Sequence, residues 1–467
     1  MTLPTLSRSS VHTRGSSSQD ERHVSPSPLH AVARVLLVAT LCGAPWAFGA
    51  VQTWAWGTLT VMSLLILVLW AAGCAHRGVL RLSWSPLYWP FLAFLAIAIA
   101  QLLAGWSLDR VATREAVLKL VTNFLFFFLV GQLLNAHAGN GRTLEWFGLI
   151  VTLLAFAVCF LALAQLYWGH DRQMIYWTFP ARGAPFGPYV NHNNYAGLME
   201  MLLPISVAYI LSRYWHSSLI FLFWCGVGLV TISIWISGSR GATLGLFVEG
   251  MVLAGILLWK RPRGIAPRYL VLLAGVLLIC GITFSWLVST GRVGGRAWSV
   301  FETHRSLGVT LGDRWRVGID TLHMIRTHPW TGVGVGCFES IFPKYLSVPM
   351  EMHWTHAHDD ILEAVAETGL PGLALILVAL ALFLRVAFHR LKVRLRYGWG
   401  WMQMGAALGV VGLLVHSLVD FNLRVPANAA WFVVCLAIAT HPRSARRETP
   451  KVVWEPAEEP GGEFLTQ

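Results

Sequence analysis

The chain has 467 residues, 55% of them hydrophobic and only 12% charged, and its mean hydropathy of +0.58 excludes a water-soluble globular protein. Its formal charge of +12, from 35 Lys+Arg against 23 Asp+Glu, would suggest nucleic acid on a soluble chain. On a membrane chain basic residues mark cytoplasmic loops, so no nucleic-acid partner is expected.

The seven cysteines, at 42, 74, 159, 225, 280, 337 and 435, form no CxxC pair and indicate neither a disulfide framework nor a zinc site. Residues 1–29, with eight Ser and three Pro, are expected to be a disordered cytoplasmic tail. That segment is too polar for a secretory signal, so the first apolar run, from about His30 to Ala50, is expected to be a retained anchor. With roughly 20 apolar residues per span, further spans are predicted near 54–73, 86–104, 116–134, 144–168, 194–211, 218–237, 241–259, 269–289, 371–388, 401–419 and 427–441. The expectation is an all-α polytopic membrane protein with about 12 transmembrane helices. Residues 30–289 carry helices 1–9, a long outer loop fills 290–370, residues 371–441 carry helices 10–12, and 442–467 form a second cytoplasmic tail.

With both termini cytoplasmic, the short inner segments hold twenty Lys and Arg, including the runs Lys260 to Arg268 and Arg390 to Arg396, against six in the short outer loops. That bias sets the orientation. The outer loop is too long for a connector, which marks it as functional. Within it, Trp315, Ile319, Leu322 and Ile325 recur at helical spacing, predicting a short helix at the outer membrane–water interface. A second helix should start at the acids Asp359-Asp360 and stop at Gly369-Leu370-Pro371, leading into the tenth span.

Ionisable residues beside spans are costly, so the outer ones are read for function first. Gly183 to Gly197 is a Gly/Pro-rich turn running into amide side chains at the start of a span. Asn191 and Asn193 are candidate substrate contacts there; Asn193 or Asn194 as a helix N-cap is the alternative. Ser237-Gly238-Ser239-Arg240-Gly241 separates two apolar runs. Arg240 either snorkels to the interface or, among small residues that admit a ligand, grips phosphate oxygens bidentately. Arg314-Trp315-Arg316 offers two more guanidinium groups, for lipid headgroups or for phosphate. The run Gly332 to Gly336 has no βαβ unit around it, so a dinucleotide reading is discarded. In Thr355-His356-Ala357-His358-Asp359-Asp360, no third and fourth metal ligands follow at a recognisable spacing, and no metal is expected. A general base is the remaining reading: a neutral imidazole, with a free pKa of about 6.5, takes a proton from a hydroxyl, and Asp360 or Glu363 orients it.

Taken in order, these motifs resemble the bacterial O-antigen ligase and polymerase superfamily. The resemblance rests on Phe186-Gly187 with Val190-Asn191-His192-Asn193 and Ala196-Gly197, then Ser237-x-Ser239-Arg240-Gly241, then Arg314 and Gly318 with His328-Pro329 and Gly332-x-Gly334. It continues through His356-x-His358-Asp359-Asp360-x-Leu362 with Glu367-x-Gly369, and His416-Ser417-x-Val419-Asp420-Phe421, so it spans about Gly183 to Ala430. Asp359 stands where the family commonly has Asn.

The resemblance implies a GT-C-like, multi-span glycosyltransferase of the bacterial inner membrane, with 290–370 as its periplasmic catalytic loop. The donor it implies is a glycan on undecaprenyl diphosphate. The acceptor is a lipid A-core sugar for a ligase, or another repeat unit for a polymerase of O-antigen or exopolysaccharide. Arg240, Arg314 and His358 are then the catalytic residues, with Arg316, His356, Asn191, Asn193, Asp360 and Glu363 binding substrate and no metal or other cofactor. Membrane lipids, a chain-length regulator and a flippase are the expected partners. The charge chemistry agrees: the outer loops hold no DxD-type motif, so arginines would stabilise the departing diphosphate, while His358 deprotonates the acceptor for inversion at the anomeric carbon.

Two other classes compete. A lipid-linked glycan flippase or transporter would carry charge within its spans and repeat symmetry; Lys119 and Glu200 are among the few candidates, and no repeat is visible. A peptidoglycan-type polymerase would use an outer aspartate, which the Arg/His set fits poorly.

Overall fold

Long apolar runs must satisfy their backbone groups internally, and this chain does so with helices. The computed structural model describes residues 27–80, 82–135, 142–168, 185–213, 220–260, 311–347, 354–394, 398–442 and 452–453. In chain order these form α1 (Pro28–Gly43), α2 (Thr53–His76), α3 (Tyr88–Leu103), α4 (Arg110–Val130), α5 (Arg142–Trp168), α6 (His192–Arg213) and α7 (Ile220–Ile236). There follow α8 (Arg240–Lys260), α9 (Leu311–Thr327), α10 (Phe338–Ile341), α11 (Asp360–Arg394), α12 (Gly398–His416) and α13 (Pro426–Thr440). Val79–Leu80 makes a two-residue antiparallel pairing with Val452–Val453.

Among the described residues, 7 helices are long and apolar enough to cross a membrane, lying in α1, α2, α4, α5, α6, α8 and α11; α3, α7 and α13 are shorter apolar helices. The predicted spans fall on α1 to α8 and α11 to α13. The span near 269–289 lies outside the described residues, as do most of the N-terminal tail, the loop up to residue 310 and nearly all of the C-terminal tail.

In lipid, small residues let helix backbones approach. Along α12, a Cβ at Gly405 would lie 2.5 Å from the Pro204 carbonyl oxygen, and one at Gly409 would lie 2.9 Å from that of Met201. The inner helix α12 therefore seats directly on the backbone of α6, and nearly all of both helices is buried.

One end of the bundle is tied by polar side chains from distant segments. Gln132 accepts from the Ser83 N–H at 2.8 Å and donates to its carbonyl at 2.9 Å. Tyr88 Oη lies 2.9 Å from His441 Nε2, and Arg390 donates to the carbonyls of Thr440 and His441. At the opposite end meet the starts of α6, α8, α11 and α13, the end of α12, and helix α9. The predicted amphipathic helix is α9: Val317, Asp320, Thr321 and Met324 are buried, while Trp315, Ile319 and Leu322 are exposed. Trp315, Ile319 and Leu322 of its stripe thus face away from the protein, while Ile325 packs against it.

Gly369, with φ 70° and ψ −169°, breaks α11 between an outer section and its long apolar continuation. A side chain there is strained by the backbone and would meet the Pro329 carbonyl oxygen at 2.7 Å.

Candidate functional site

The outer section of α11 starts where Asp359 Oδ1 accepts the N–H groups of Ile361 and Leu362 at 3.0 and 2.9 Å. This is an N-cap, which Asn or Asp serves equally, so Asp in place of the commoner Asn keeps that role. His358, just before it, has φ 54°. Left-handed backbone is uncommon away from glycine and clusters at functional positions.

His358 Nδ1 lies 3.6 Å from Asp420 Oδ1, within ion-pair reach but beyond a hydrogen bond. Its ring stands edge-on to Trp354 at 5.6 Å and to Phe421 at 4.9 Å. Burial alone would raise the Asp420 carboxyl. His358 beside it, with Arg314 and with His416 once that ring is protonated in acid, outweighs burial and holds it at about 2.

Asp420 belongs to the turn from His416 to Arg424, on which the other groups converge. The Asp360 N–H donates to the Ser417 carbonyl at 2.9 Å, and Asp360 Oδ2 accepts the Leu423 N–H at 2.9 Å. Arg314 Nη1 donates to the Val419 carbonyl at 2.9 Å. Ser239 Oγ lies 3.3 Å from His416 Nε2, and Gly241 packs so closely on the His416 ring that a Cβ would collide with it. The turn carrying Arg240 therefore abuts the same segment. His356 stacks on Phe421 at 4.4 Å.

Arg424 closes the arrangement from below. Its Nε is 3.1 Å from Glu363 Oε1 and its Nη1 2.8 Å from Glu367 Oε2. Burial would lower the guanidinium's pKa; the facing carboxylates raise it instead. Glu363 also lies 3.1 Å from His356 Nδ1 and accepts the Ala357 N–H at 2.8 Å.

These contacts correct one expectation. Asp360 and Glu363 do not orient His358. Asp360 is bound into the 417–423 backbone, and Glu363 serves His356 and Arg424. Asp420 is the carboxylate facing His358. A second correction concerns the cap of α6. Asn191, not Asn193 or Asn194, fills that role, its Oδ1 accepting the Asn193 N–H at 2.8 Å. Asn193 is buried, and Asn194 offers its carbonyl to Asn428 at 2.8 Å.

Arg316 and Arg240 are exposed. The glycine run has a packing role: Gly332, with φ 63°, lies so close to the Glu367 backbone that a Cβ would clash. The Val333 and Gly334 N–H groups donate to the Ala366 and Glu367 carbonyls at 3.1 Å each. Sequence reading placed Asp420 inside a motif without a role and counted Arg424 only as loop charge. The available signal was an acid and a base flanking Phe421 between two apolar helices.

Residues 221–377 match the family model for O-antigen ligases. That stretch contains Arg240, Arg314, Arg316, His356, His358, Asp360 and Glu363 and ends before the His416 to Arg424 turn. It supports the superfamily to which the motif order pointed, and a ligase- or polymerase-type function in general terms. No curated protein matches the chain.

Proposed function

We propose that this is an O-antigen ligase-like glycosyltransferase with about 12 spans and a GT-C-like architecture. It transfers a glycan from undecaprenyl diphosphate to a lipid A-core hydroxyl at the periplasmic face of the bacterial inner membrane. The observation that carries this reading is the convergence of His358, Arg314 and the Arg240 turn on one segment containing Asp420.

With Nδ1 turned to Asp420, Nε2 of His358 is the nitrogen left to take the acceptor's proton; this tautomer is assigned from geometry. The acceptor oxygen then attacks the anomeric carbon from the face opposite the diphosphate. The sugar–phosphate C–O bond breaks, configuration inverts, and the departing charge falls to Arg240 and Arg314. Arg316, exposed two residues from Arg314, is a further basic group for the diphosphate, and His356 borders the same turn. The exposed stripe Trp315, Ile319 and Leu322 rests at the outer interface, where aromatic and aliphatic side chains meet lipid.

Arg240→Ala and Arg314→Ala should each lower transfer on the order of 10²-fold while the protein stays in the membrane. Lys should restore little, because a point charge cannot reproduce the guanidinium fork. Transfer that survives both changes and requires added divalent cation would refute the assignment. A deletion strain separates the acceptors. Lipid A-core lacking polymer, with lipid-linked polymer retained, marks a ligase; accumulated single repeat units mark a polymerase.

The orientation is tested separately. A cysteine introduced at Ser306 should react with a periplasmic thiol reagent and one at Gly264 should not. The reverse pattern would invert the topology.

A further inference from the structure

Helices α6, α8 and α12 bring together three polar side chains that the proposed chemistry leaves unused. Glu200 of α6 places Oε2 2.9 Å from His416 Nδ1 at the end of α12, and neither side chain has any solvent exposure. The other ring nitrogen, Nε2, lies 3.3 Å from Ser239 Oγ. A carboxylate only accepts, so the contact assigns the proton of His416 to Nδ1, leaving Nε2 to accept from the Ser239 hydroxyl.

This order of carboxylate, imidazole and hydroxyl suggests a nucleophile, but Ser239 is 1% exposed and its oxygen accepts the Ala242 N–H at 3.3 Å. The serine caps α8. The next residue is Arg240, which among the described residues makes no hydrogen bond or ion pair and whose direction therefore depends on the backbone that carries it.

The fit around the chain is built from α8 itself. Cβ atoms at Gly241 and Gly245, one turn apart, would collide with the His416 ring and the Glu200 carboxylate. A carboxylate buried among spanning helices is expensive and by default marks function.

We propose that Glu200, His416 and Ser239 form a buried positioning chain that holds the start of α8, and with it Arg240, in register with the donor diphosphate. The inference rests on the ligase-type reading above. None of the three residues touches substrate: Glu200 fixes the His416 tautomer, His416 fixes the Ser239 rotamer, and Ser239 fixes the first turn of α8.

The test uses the full chain in lipid vesicles with an undecaprenyl-diphosphate-linked glycan as donor. Glu200→Gln and Ser239→Ala should each lower kcat by about 10-fold, the cost of a small misplacement, and Glu200→Asp should recover part of the loss. In an Arg240→Ala background the same changes should cost less than about 2-fold, because residues acting as a unit are non-additive. Ser206→Ala, a buried hydroxyl of α6 outside the chain that bonds only the Leu202 carbonyl, should stay near wild type and controls for helix packing.

Equal losses in both backgrounds would show general damage and overturn the proposal. So would wild-type turnover in Ser239→Ala, a variant that leaves the buried charge untouched. A wild-type protein that transfers no glycan would instead overturn the ligase reading, and this one with it.

Discussion

Replacing His358 with Ala is expected to lower turnover by 10²–10⁴-fold, the range of a general base, with donor binding largely kept. Its unusual φ of 54° and its position one residue before the cap of α11 fix its backbone at the head of that helix. Asp420→Asn should cost about 10-fold or more, since the amide cannot stabilise the imidazolium formed as the proton is taken.

Asp420, held at about 2, is ionised at neutral pH. Its carboxyl lies below the free value of about 3.9. The stability it contributes is therefore present above that value and lost as pH falls towards 2. Single-turnover rates with prebound donor test the base assignment. If His356→Ala abolished turnover and His358→Ala did not, the base would be two residues away.

Arg424→Met should be the most destabilising of the changes considered, by about 3 kcal/mol, near the lower end of the cost of orphaning buried charge. The arginine keeps 21% of its side chain exposed, but Glu363 and Glu367 keep only 2% each and would be left without their cation. Glu363 also holds His356 and the Ala357 N–H, so the loop presenting His358 should loosen with it. Thermal unfolding in detergent measures the loss. Arg424→Met combined with Glu363→Gln and Glu367→Gln should unfold closer to wild type than Arg424→Met alone, since no bare charge remains buried. A single variant melting with wild type would remove the ion cluster from the account of this fold.

Much of the architecture was legible because its signals are local. Continuous apolar runs predict the helices that became α1 to α8 and α11 to α13, and the acids opening α11 mark its start. The amphipathic spacing around Trp315 predicts α9, although the buried face of that helix is Val317, Asp320, Thr321 and Met324 and the Trp315 stripe is exposed. Arg240, Arg314 and His358, the residues proposed to carry the chemistry, stand out in the sequence as basic groups beside apolar runs where charge is costly.

The identity of their partners was not local. Asp360 and Glu363 are near His358 in sequence, yet the helix that begins at Asp360 turns them into the protein, towards Leu423 and Arg424. Asp420, on a connection between two other helices, is the acid that faces the imidazole. Likewise Glu200, His416 and Ser239 come from three separate segments and meet only because α12 seats closely against α6 and α8 over glycines. Sequence alone determined which stretches are helical and apolar and which residue types could carry the chemistry, since propensity, capping and hydrophobic period act over a few residues. Tertiary structure decided which carboxylate serves which base, because that depends on how close helices distant in sequence are allowed to approach.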